Sequence, residues 1–252
     1  MKFPSAGVRT AIHWRDRLVF AYLQEPPFCF RDSNGAVRGC DVELAQVLLA
    51  MAGGNAFQPV EAEFAQLLRG LVDGRWMMTT GLFVTDERRA HVDFSRPIWA
   101  LHDGLLVRAA NPRGIAGYGS LALDGSGVLG VIVEQVQHAT ALRLGVPADR
   151  IRLFGTQDEA AEAVANGHVD AYASVAAAHR GYLVNRPDAP LAVVDVPIEE
   201  APTAYGAFAF GKDSRGLRDA IDEALGSYLG SPEHRALMSR YGFTAAEVDR
   251  VL

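Results

Sequence analysis

The sequence predicts an α/β protein made of two similar lobes, and three observations support that prediction. Segments with strand character alternate with segments of helical periodicity along most of the 252 residues, which is typical of parallel sheets covered by helices. The chain is longer than the roughly 150 residues of a common single domain. Two extended segments, near 104–112 and 200–207, interrupt the alternation and would carry the chain between the lobes. Two such crossings predict a hinge.

The first alternation predicts three strands, a hairpin and two helices before the first crossing. A short apolar run at 18–23 is the first strand, and a hairpin that reaches residue 37 follows Pro26-Pro27. Asp41 is predicted as the N-cap of the next helix, which Gly53-Gly54 ends. The remaining elements of this half are strands at 57–60 and from 76 onwards, and a helix at 64–71.

The second alternation begins after a chain break at 111–114 and repeats the order of strand and helix. Its strands are predicted at 128–132, 151–153 and 169–173, and its helices at 136–145, 158–166 and through residue 179. After the return crossing come a strand at 205–211, a helix that Ser214 caps, and two short helices marked by Pro232 and Thr244. These crossings place residues 1–107 and 206–252 in a discontinuous first lobe, and 108–205 in the second.

The two cysteines, Cys29 and Cys40, flank Asn34-Gly35, which is a strong signal for a two-residue hairpin turn. In such a hairpin the two cysteines would face each other, because they are equally far from the turn. A cross-strand disulfide is therefore one hypothesis, and a pair of ordinary buried thiols is the other.

Charge and composition exclude several classes of function. The formal net charge of −6 opposes the attraction to phosphate that drives nucleic-acid binding, so nucleic acids are not expected partners. No apolar run reaches the roughly 20 residues that span a bilayer. Residues 1–7 contain no apolar stretch before a small-residue cleavage site, so no secretory signal is visible there.

The sequence also contains no recognisable catalytic or metal-binding motif. The seven histidines lack the spacing of metal ligands, and no glycine-rich nucleotide motif or serine nucleophile elbow occurs. Neither cysteine has a histidine nearby that would activate it. We therefore expect no metal, no cofactor and no catalytic residue.

Motifs spread along the chain resemble one known family. They are Glu25-Pro26-Pro27-Phe28, Asn34-Gly35, Gly39-Cys40-Asp41-Val42-Glu43-Leu44-Ala45, Gly81-Leu82-Phe83-Val84-Thr85-Asp86-Glu87-Arg88, Val92-Asp93-Phe94-Ser95 before Pro97, Gly167-His168-Val169-Asp170-Ala171-Tyr172 and Ala204-Tyr205-Gly206. With these segments the chain, from Leu18 to its end, resembles the amino-acid-type solute-binding proteins of ABC importers. The resemblance implies a type II periplasmic-binding-protein fold, in which two α/β lobes joined by a two-segment hinge close on a small solute.

The resemblance implies that Arg88 binds the carboxylate of the ligand, but other positions depart from the family pattern. Where typical members have an aromatic residue, a Ser or Thr, and an Asp, this chain has Glu25, Phe83 and Val175. An α-amino acid would lose the partner of its ammonium group, and a buried unpaired charge costs several kcal/mol. An ordinary amino acid is therefore not the first expected ligand.

The first-lobe candidates combine a guanidinium, a carboxylate and three aromatic rings, namely Arg88, Glu25, Phe28, Phe64 and Phe83. An arginine fork suits a carboxylate, a glutamate accepts hydrogen bonds from a cationic N–H, and aromatic faces attract a delocalised cation. This set is similar to the ectoine- and hydroxyectoine-binding branch of the family, which implies a zwitterionic ligand. The further candidates are Thr80 and Gly81 beside the ligand, and Glu134 and Gln135 from the second lobe, where the usual Gly-Thr-Thr segment is altered.

Several candidates also have an interpretation without a role in binding. Phe64 lies on an apolar helical stripe, and both it and Phe28 fit a hydrophobic core. Glu25 fits a solvated loop at a strand end, and Glu134 and Gln135 fit the exposed start of a helix. At the level of sequence these alternatives stay open.

The expected function is that of a monomeric binding protein, which captures a small zwitterionic or carboxylate solute and delivers it to an ABC permease. An ectoine-like compatible solute or an amino-acid derivative is the expected ligand. The resemblance implies a periplasmic location, while the lack of a visible signal leaves a cytoplasmic one open. Two alternatives on the same fold are an enzyme that resembles the cyclohexadienyl dehydratases, with Glu25 or Glu134 as the acid, and a ligand-sensing module.

Overall fold

The computed structural model describes residues 13–252, which form two β-sheets with helices packed against them. The prediction about a secretory signal concerns residues 1–7 and lies outside the described residues. Within 13–252, no helix combines the length and the apolar character that crossing a membrane requires.

The strands are β1 (Leu18–Tyr22), β2 (Phe30–Arg31), β3 (Val37–Arg38), β4 (Phe57–Glu61), β5 (Met78–Phe83), β6 (Val92–Phe94), β7 (Trp99–Leu101), β8 (Asp103–Arg108), β9 (Leu129–Ile132), β10 (Ile151–Phe154), β11 (Ala171–Val175), β12 (Leu191–Asp195) and β13 (Ala204–Gly211). The α-helices are α1 (Cys40–Met51), α2 (Phe64–Val72), α3 (Asp86–His91), α4 (Tyr118–Asp124), α5 (Val136–Arg143), α6 (Gln157–Ala165), α7 (Ala176–Val184), α8 (Arg215–Tyr228), α9 (Pro232–Arg240) and α10 (Ala245–Asp249).

The first sheet has the strand order β4-β1-β5-β13-β6, and β7 pairs with β13. Strands β4, β1 and β5 are parallel, whereas β13 runs antiparallel to β5. Successive side chains of a strand point to opposite faces, so Phe20 of β1 packs with Leu48 of α1, and Ala21 packs with Leu67 of α2. The sheet is therefore covered by helices on both faces.

The second sheet has the strand order β10-β9-β11-β8-β12. Strands β10, β9 and β11 are parallel, and β8 and β12 are antiparallel to their neighbours. Ala173 of β11 packs with Tyr118 of α4 on one face, and Tyr172 packs with Ala160 of α6 on the other. We name the first sheet with its helices the first lobe, and the second sheet with its helices the second lobe. The predicted α/β class is confirmed.

The chain changes sheet twice, between Leu101 and Asp103 and again between Asp195 and Ala204. The pairing of β8 with β11 and β12 therefore assigns residues 103–107 to the second sheet, although the sequence analysis placed them in the first lobe. The lobe limits at 107/108 and 205/206, and the hinge, stay predictions.

The hairpin after β1 has a different register from the predicted one. Phe30 lies opposite Arg38, and the loop between the strands is longer than two residues, because the Asp32 N–H donates to the Ala36 carbonyl. The Asp32 carboxylate also accepts from the N–H groups of Asn34 and Ala36, which holds the pKa of that carboxyl below its usual range.

This register separates the cysteines. Cys40 begins α1 instead of lying opposite Cys29, and both are buried free thiols. The thiol of Cys29 donates to the Thr80 hydroxyl, with 3.4 Å between the sulfur and the oxygen. The disulfide hypothesis is wrong, and the alternative of two buried thiols is confirmed.

Candidate functional site

A cavity of about 460 Å³, including the solvent at its mouth, lies where the two lobes meet. Its walls follow the carboxyl ends of β1, β5, β9 and β11, which is where open α/β sheets bind ligands. Eight of the nine predicted binding residues line it, namely Glu25, Phe28, Phe64, Thr80, Gly81, Phe83, Arg88 and Gln135. The structure thus brings together most of the residues that the sequence singled out.

Arg88 lies on α3, which Thr85 caps by accepting a hydrogen bond from the Arg88 N–H at 3.2 Å. Its side chain is buried, and its hydrogen bonds within the described residues go to two carbonyl oxygens, those of Phe83 at 2.9 Å and Glu134 at 3.2 Å. Burial lowers the pKa of Arg88 to about 10, which leaves it a cation at neutral pH. The guanidinium has five N–H donors, so donors remain for an anion in the cavity.

Glu134 is the one predicted residue whose side chain does not line the cavity. Its backbone is in the left-handed region, with φ of 66°, and its carbonyl oxygen accepts from Arg88 across the gap between the lobes. Its carboxylate instead pairs with Arg69 of the first lobe at 2.6 Å, and both side chains are largely exposed to solvent. Glu134 therefore contributes its backbone to the site and its side chain to a surface contact between the lobes.

Glu25 lies in the loop between β1 and β2 and is buried, with 8% of its surface exposed. The Ser174 hydroxyl of the second lobe donates to its carboxyl group at 3.3 Å. Burial raises the pKa of Glu25 to about 7, although hydrogen bonds from Ser174 and Gln135 oppose the rise. No partner within the described residues satisfies the buried side-chain oxygen of Gln135. Among the described residues, the second lobe thus offers Glu25 the Ser174 hydroxyl and the Gln135 amide, both of which are uncharged.

The aromatic candidates do not all present a free face. The Phe64 ring lies 5.4 Å from the Arg88 guanidinium and stacks with this cation of the protein itself. Phe28 is buried in the core of the first lobe, which agrees with its core interpretation, and it also lines the cavity, where its contact with a ligand stays a prediction. Phe83 packs edge-to-face on Trp99, with 5.3 Å between the ring centroids. Trp99 itself lines the cavity and was not predicted, because it lies inside an apolar segment with no local polar signal.

Asp41 was predicted as an N-cap, and this prediction is wrong. Helix α1 begins at Cys40, and Asp41 is buried in its first turn. Its carboxylate accepts hydrogen bonds from the Thr80 hydroxyl at 2.6 Å, the Gly81 N–H at 2.8 Å and the Trp99 indole N–H at 3.2 Å. Burial raises the pKa of Asp41, and these hydrogen bonds oppose the rise. Asp41 therefore positions the part of the cavity wall formed by β5 and β7.

Gly81 is a close-approach position in the same wall. A Cβ atom on this residue would lie 2.7 Å from the indole nitrogen of Trp99, closer than real Cβ contacts. A glycine here allows the indole to reach Asp41, so packing alone explains the glycine, and its predicted place beside the ligand stays a prediction.

The chain has clear relatives. The profile of the family described as bacterial extracellular solute-binding proteins, family 3, matches residues 18–244. A probable amino-acid ABC transporter periplasmic-binding protein of Sinorhizobium fredii is 31% identical over 238 residues, which are 91% of this chain and 78% of that protein.

Two solved structures superpose on nearly the whole chain. EhuB, in complex with hydroxyectoine, has a TM-score of 0.85 at 26% identity and covers 94% of this chain and 92% of its own. The arginine-, lysine-, histidine-binding protein ArtJ from Geobacillus stearothermophilus has a TM-score of 0.83 at 25% identity and covers 94% of this chain and 99% of its own. These similarities confirm the predicted type II fold. Since the family profile covers most of the sequence, the chain belongs to the family 3 bacterial extracellular solute-binding proteins.

Proposed function

We propose that this protein captures a small zwitterionic solute in the periplasm and delivers it to an ABC importer. One observation carries the proposal: a buried guanidinium, Arg88, and a buried carboxyl group, Glu25, line one cavity and do not bond to each other among the described residues. A buried charge needs a partner of opposite sign, and a zwitterion supplies one for each group. Capture then requires no chemical step.

The carboxylate of the solute would bind at Arg88. The guanidinium is already oriented by the carbonyl oxygens of Phe83 and Glu134, one from each lobe. A charge-assisted hydrogen bond from an oriented arginine to a carboxylate is stronger than one between neutral groups. Because Arg88 donates to a carbonyl oxygen of each lobe, a carboxylate bound to it would also hold the two lobes together.

The cationic end of the solute would bind between Glu25 and the rings of Phe83 and Trp99. Val175, which lines the cavity beside Ser174, offers no charge to an α-ammonium group. A delocalised cation suits this arrangement because it attracts aromatic faces and donates N–H groups to a carboxylate. The hydroxyectoine complex of EhuB, a structural neighbour at 26% identity, supports a ligand of this kind.

The alternatives receive less support. The names of the Sinorhizobium relative and of ArtJ refer to amino acids, so amino acids belong in any test. An enzyme of the dehydratase type is not favoured, because the named relatives are binding proteins. A monomeric state stays a prediction.

Thermal unfolding with a panel of solutes tests the proposal. We expect ectoine or hydroxyectoine to raise Tm more than betaines, common amino acids or prephenate do at pH 7.5. A ligand at 100 times its Kd stabilises the folded state by about 2.7 kcal/mol, which is roughly 5–10 °C for a chain of this size. A shift with common amino acids alone would contradict the delocalised-cation part of the proposal, and turnover of prephenate would contradict capture without chemistry.

The pH dependence of affinity distinguishes a zwitterion from a simple carboxylate. Burial in the cleft of this structure raises the pKa of Glu25 to about 7 from the ordinary 4.5, and we expect the ordinary value where an open cleft exposes the carboxyl group to water. Between these two pKa values, closing the cleft around a ligand without a cation therefore requires Glu25 to take up a proton. Its affinity should fall by roughly two orders of magnitude as the pH rises from 4.5 to 7, and then level off.

A ligand with a cationic group stabilises ionised Glu25, so its affinity should not fall over the same pH range. Titration calorimetry of both ligand types between pH 5 and 8 measures the difference. In the Glu25→Gln variant both profiles should be flat. Relative to the unmodified protein at pH 8, the zwitterion should lose affinity and the simple carboxylate should gain it, because a neutral glutamine needs neither a cation nor a proton. Equal pH profiles for the two ligand types in the unmodified protein would contradict the role of Glu25.

A further inference from the structure

Helix α7 of the second lobe has a glycine, Gly181, in its interior. Glycine is less favourable than alanine inside a helix, so we expect the packing around Gly181 to explain why a glycine stands here. A Cβ atom at this position would lie 2.5 Å from the nitrogen of Pro27, and 2.6 Å from both the carbonyl carbon and the oxygen of Pro26. The glycine thus lets α7 contact the backbone of a first-lobe loop directly.

The atoms that Gly181 approaches cannot move aside by rotating a side chain, because all three belong to the backbone. Carbon atoms in ordinary contact are about 3.5–4.0 Å apart, so a methyl group would push the loop and α7 apart by roughly 1 Å. The first-lobe loop in question continues on either side into Glu25 and Phe28, both of which line the solute cavity.

The same second-lobe unit contacts this loop at a second point. Strand β11 leads directly into α7, and Ser174 of β11 donates to Glu25 at 3.3 Å, which is near the upper limit of a hydrogen bond. A separation of roughly 1 Å at Gly181 would leave these two oxygens too far apart to bond. The contact at Gly181 and the hydrogen bond from Ser174 to Glu25 therefore both require the same close approach of the two lobes.

We infer that Gly181 is a positioning residue for closure, whose missing side chain sets how closely the second lobe approaches the loop that carries Glu25. This inference rests on the proposed function, because closure has a role only if the cleft captures a solute. Gly181 does not line the solute cavity, so it acts through Ser174 and Glu25 and not by touching the ligand.

The variant Gly181→Ala tests the inference, with Gly216→Ala as a matched control. Gly216 lies on α8, where an added Cβ would meet nothing within 4 Å. We expect Gly181→Ala to lower the affinity for the best ligand of the solute panel by about tenfold to a hundredfold, and Gly216→Ala to leave it unchanged. The Tm of ligand-free Gly181→Ala should stay the same or rise, because without a ligand the lobes are free to separate at this contact and alanine favours the helix.

Small-angle X-ray scattering separates closure from a general structural effect. The unmodified protein should become more compact when saturated with ligand, and Gly181→Ala should compact less. A third variant, Ser174→Ala, removes the hydrogen bond to Glu25 without adding an atom between the lobes, so it should compact fully even if its affinity falls. Binding and compaction of Gly181→Ala equal to those of the unmodified protein would overturn the inference alone. An unmodified protein that neither binds nor compacts would overturn the proposed function and this inference with it.

Discussion

Replacing Arg88 with alanine is expected to lower the affinity for the solute by about two orders of magnitude or more, while the protein stays folded. The residue is buried, and it lines the cavity in which the carboxylate of the ligand is proposed to bind. Its burial lowers the pKa to about 10, which means that the ligand-free fold does not gain from holding this cation. Titration calorimetry measures the affinity, and circular dichroism checks the fold.

Two further variants test whether the loss of affinity is specific to the guanidinium of Arg88. Arg88→Lys keeps the charge but loses the planar fork, so we expect an affinity between those of the alanine variant and the unmodified protein. Arg89→Ala removes the neighbouring arginine, which is exposed on the same helix and lies 5.8 Å from the Phe94 ring outside the cavity. It should bind as the unmodified protein does. Equal losses for Arg88→Ala and Arg89→Ala would mean that net charge, and not a direct contact, determines affinity.

The parts of the site that sequence could predict are those that lie within one short motif. Arg88 and Phe83 belong to one motif, and Glu25 and Phe28 belong to another. Each motif lies at or just after the carboxyl end of a strand, at the edge of the sheet that borders the cavity. The α/β alternation likewise follows from periodicity that is local along the chain. The residues of each motif are therefore neighbours both in the sequence and in the folded site, which is why the sequence could predict them.

The parts that sequence missed depend on contacts between distant segments. Asp41 and Trp99 bond to each other across 58 positions of the chain, and nothing in the neighbourhood of either residue indicates the other. The side chain of Glu134 does not line the cavity but pairs with Arg69, and its backbone has a positive φ, which is uncommon for a residue with a Cβ. The predicted hairpin register was wrong for a more local reason. The Asp32 carboxylate accepts hydrogen bonds that organise a longer loop than Asn34-Gly35 alone predicts.

Asp41→Ala is expected to have the largest effect on stability. The variant leaves the Thr80 hydroxyl, the Gly81 N–H and the Trp99 indole N–H without their buried acceptor. Each unsatisfied buried donor costs about 1–3 kcal/mol, so the free energy of unfolding should fall by at least about 3 kcal/mol. For a chain of this size, that corresponds to a decrease in Tm of roughly 6–12 °C, which calorimetry of the ligand-free protein measures.

The conservative variant Asp41→Asn separates hydrogen bonding from charge. An asparagine keeps one acceptor oxygen for these donors but places an NH2 group against others, so its loss of stability should be smaller than that of alanine yet still measurable. Asp188→Ala, in an exposed turn, should change the free energy of unfolding by less than about 0.5 kcal/mol. Because Thr80, Gly81 and Trp99 form one wall of the cavity, Asp41→Asn should also weaken solute binding. Asp41→Ala with the stability of Asp188→Ala would show that the three donors find other acceptors, and that Asp41 does not hold this wall in place.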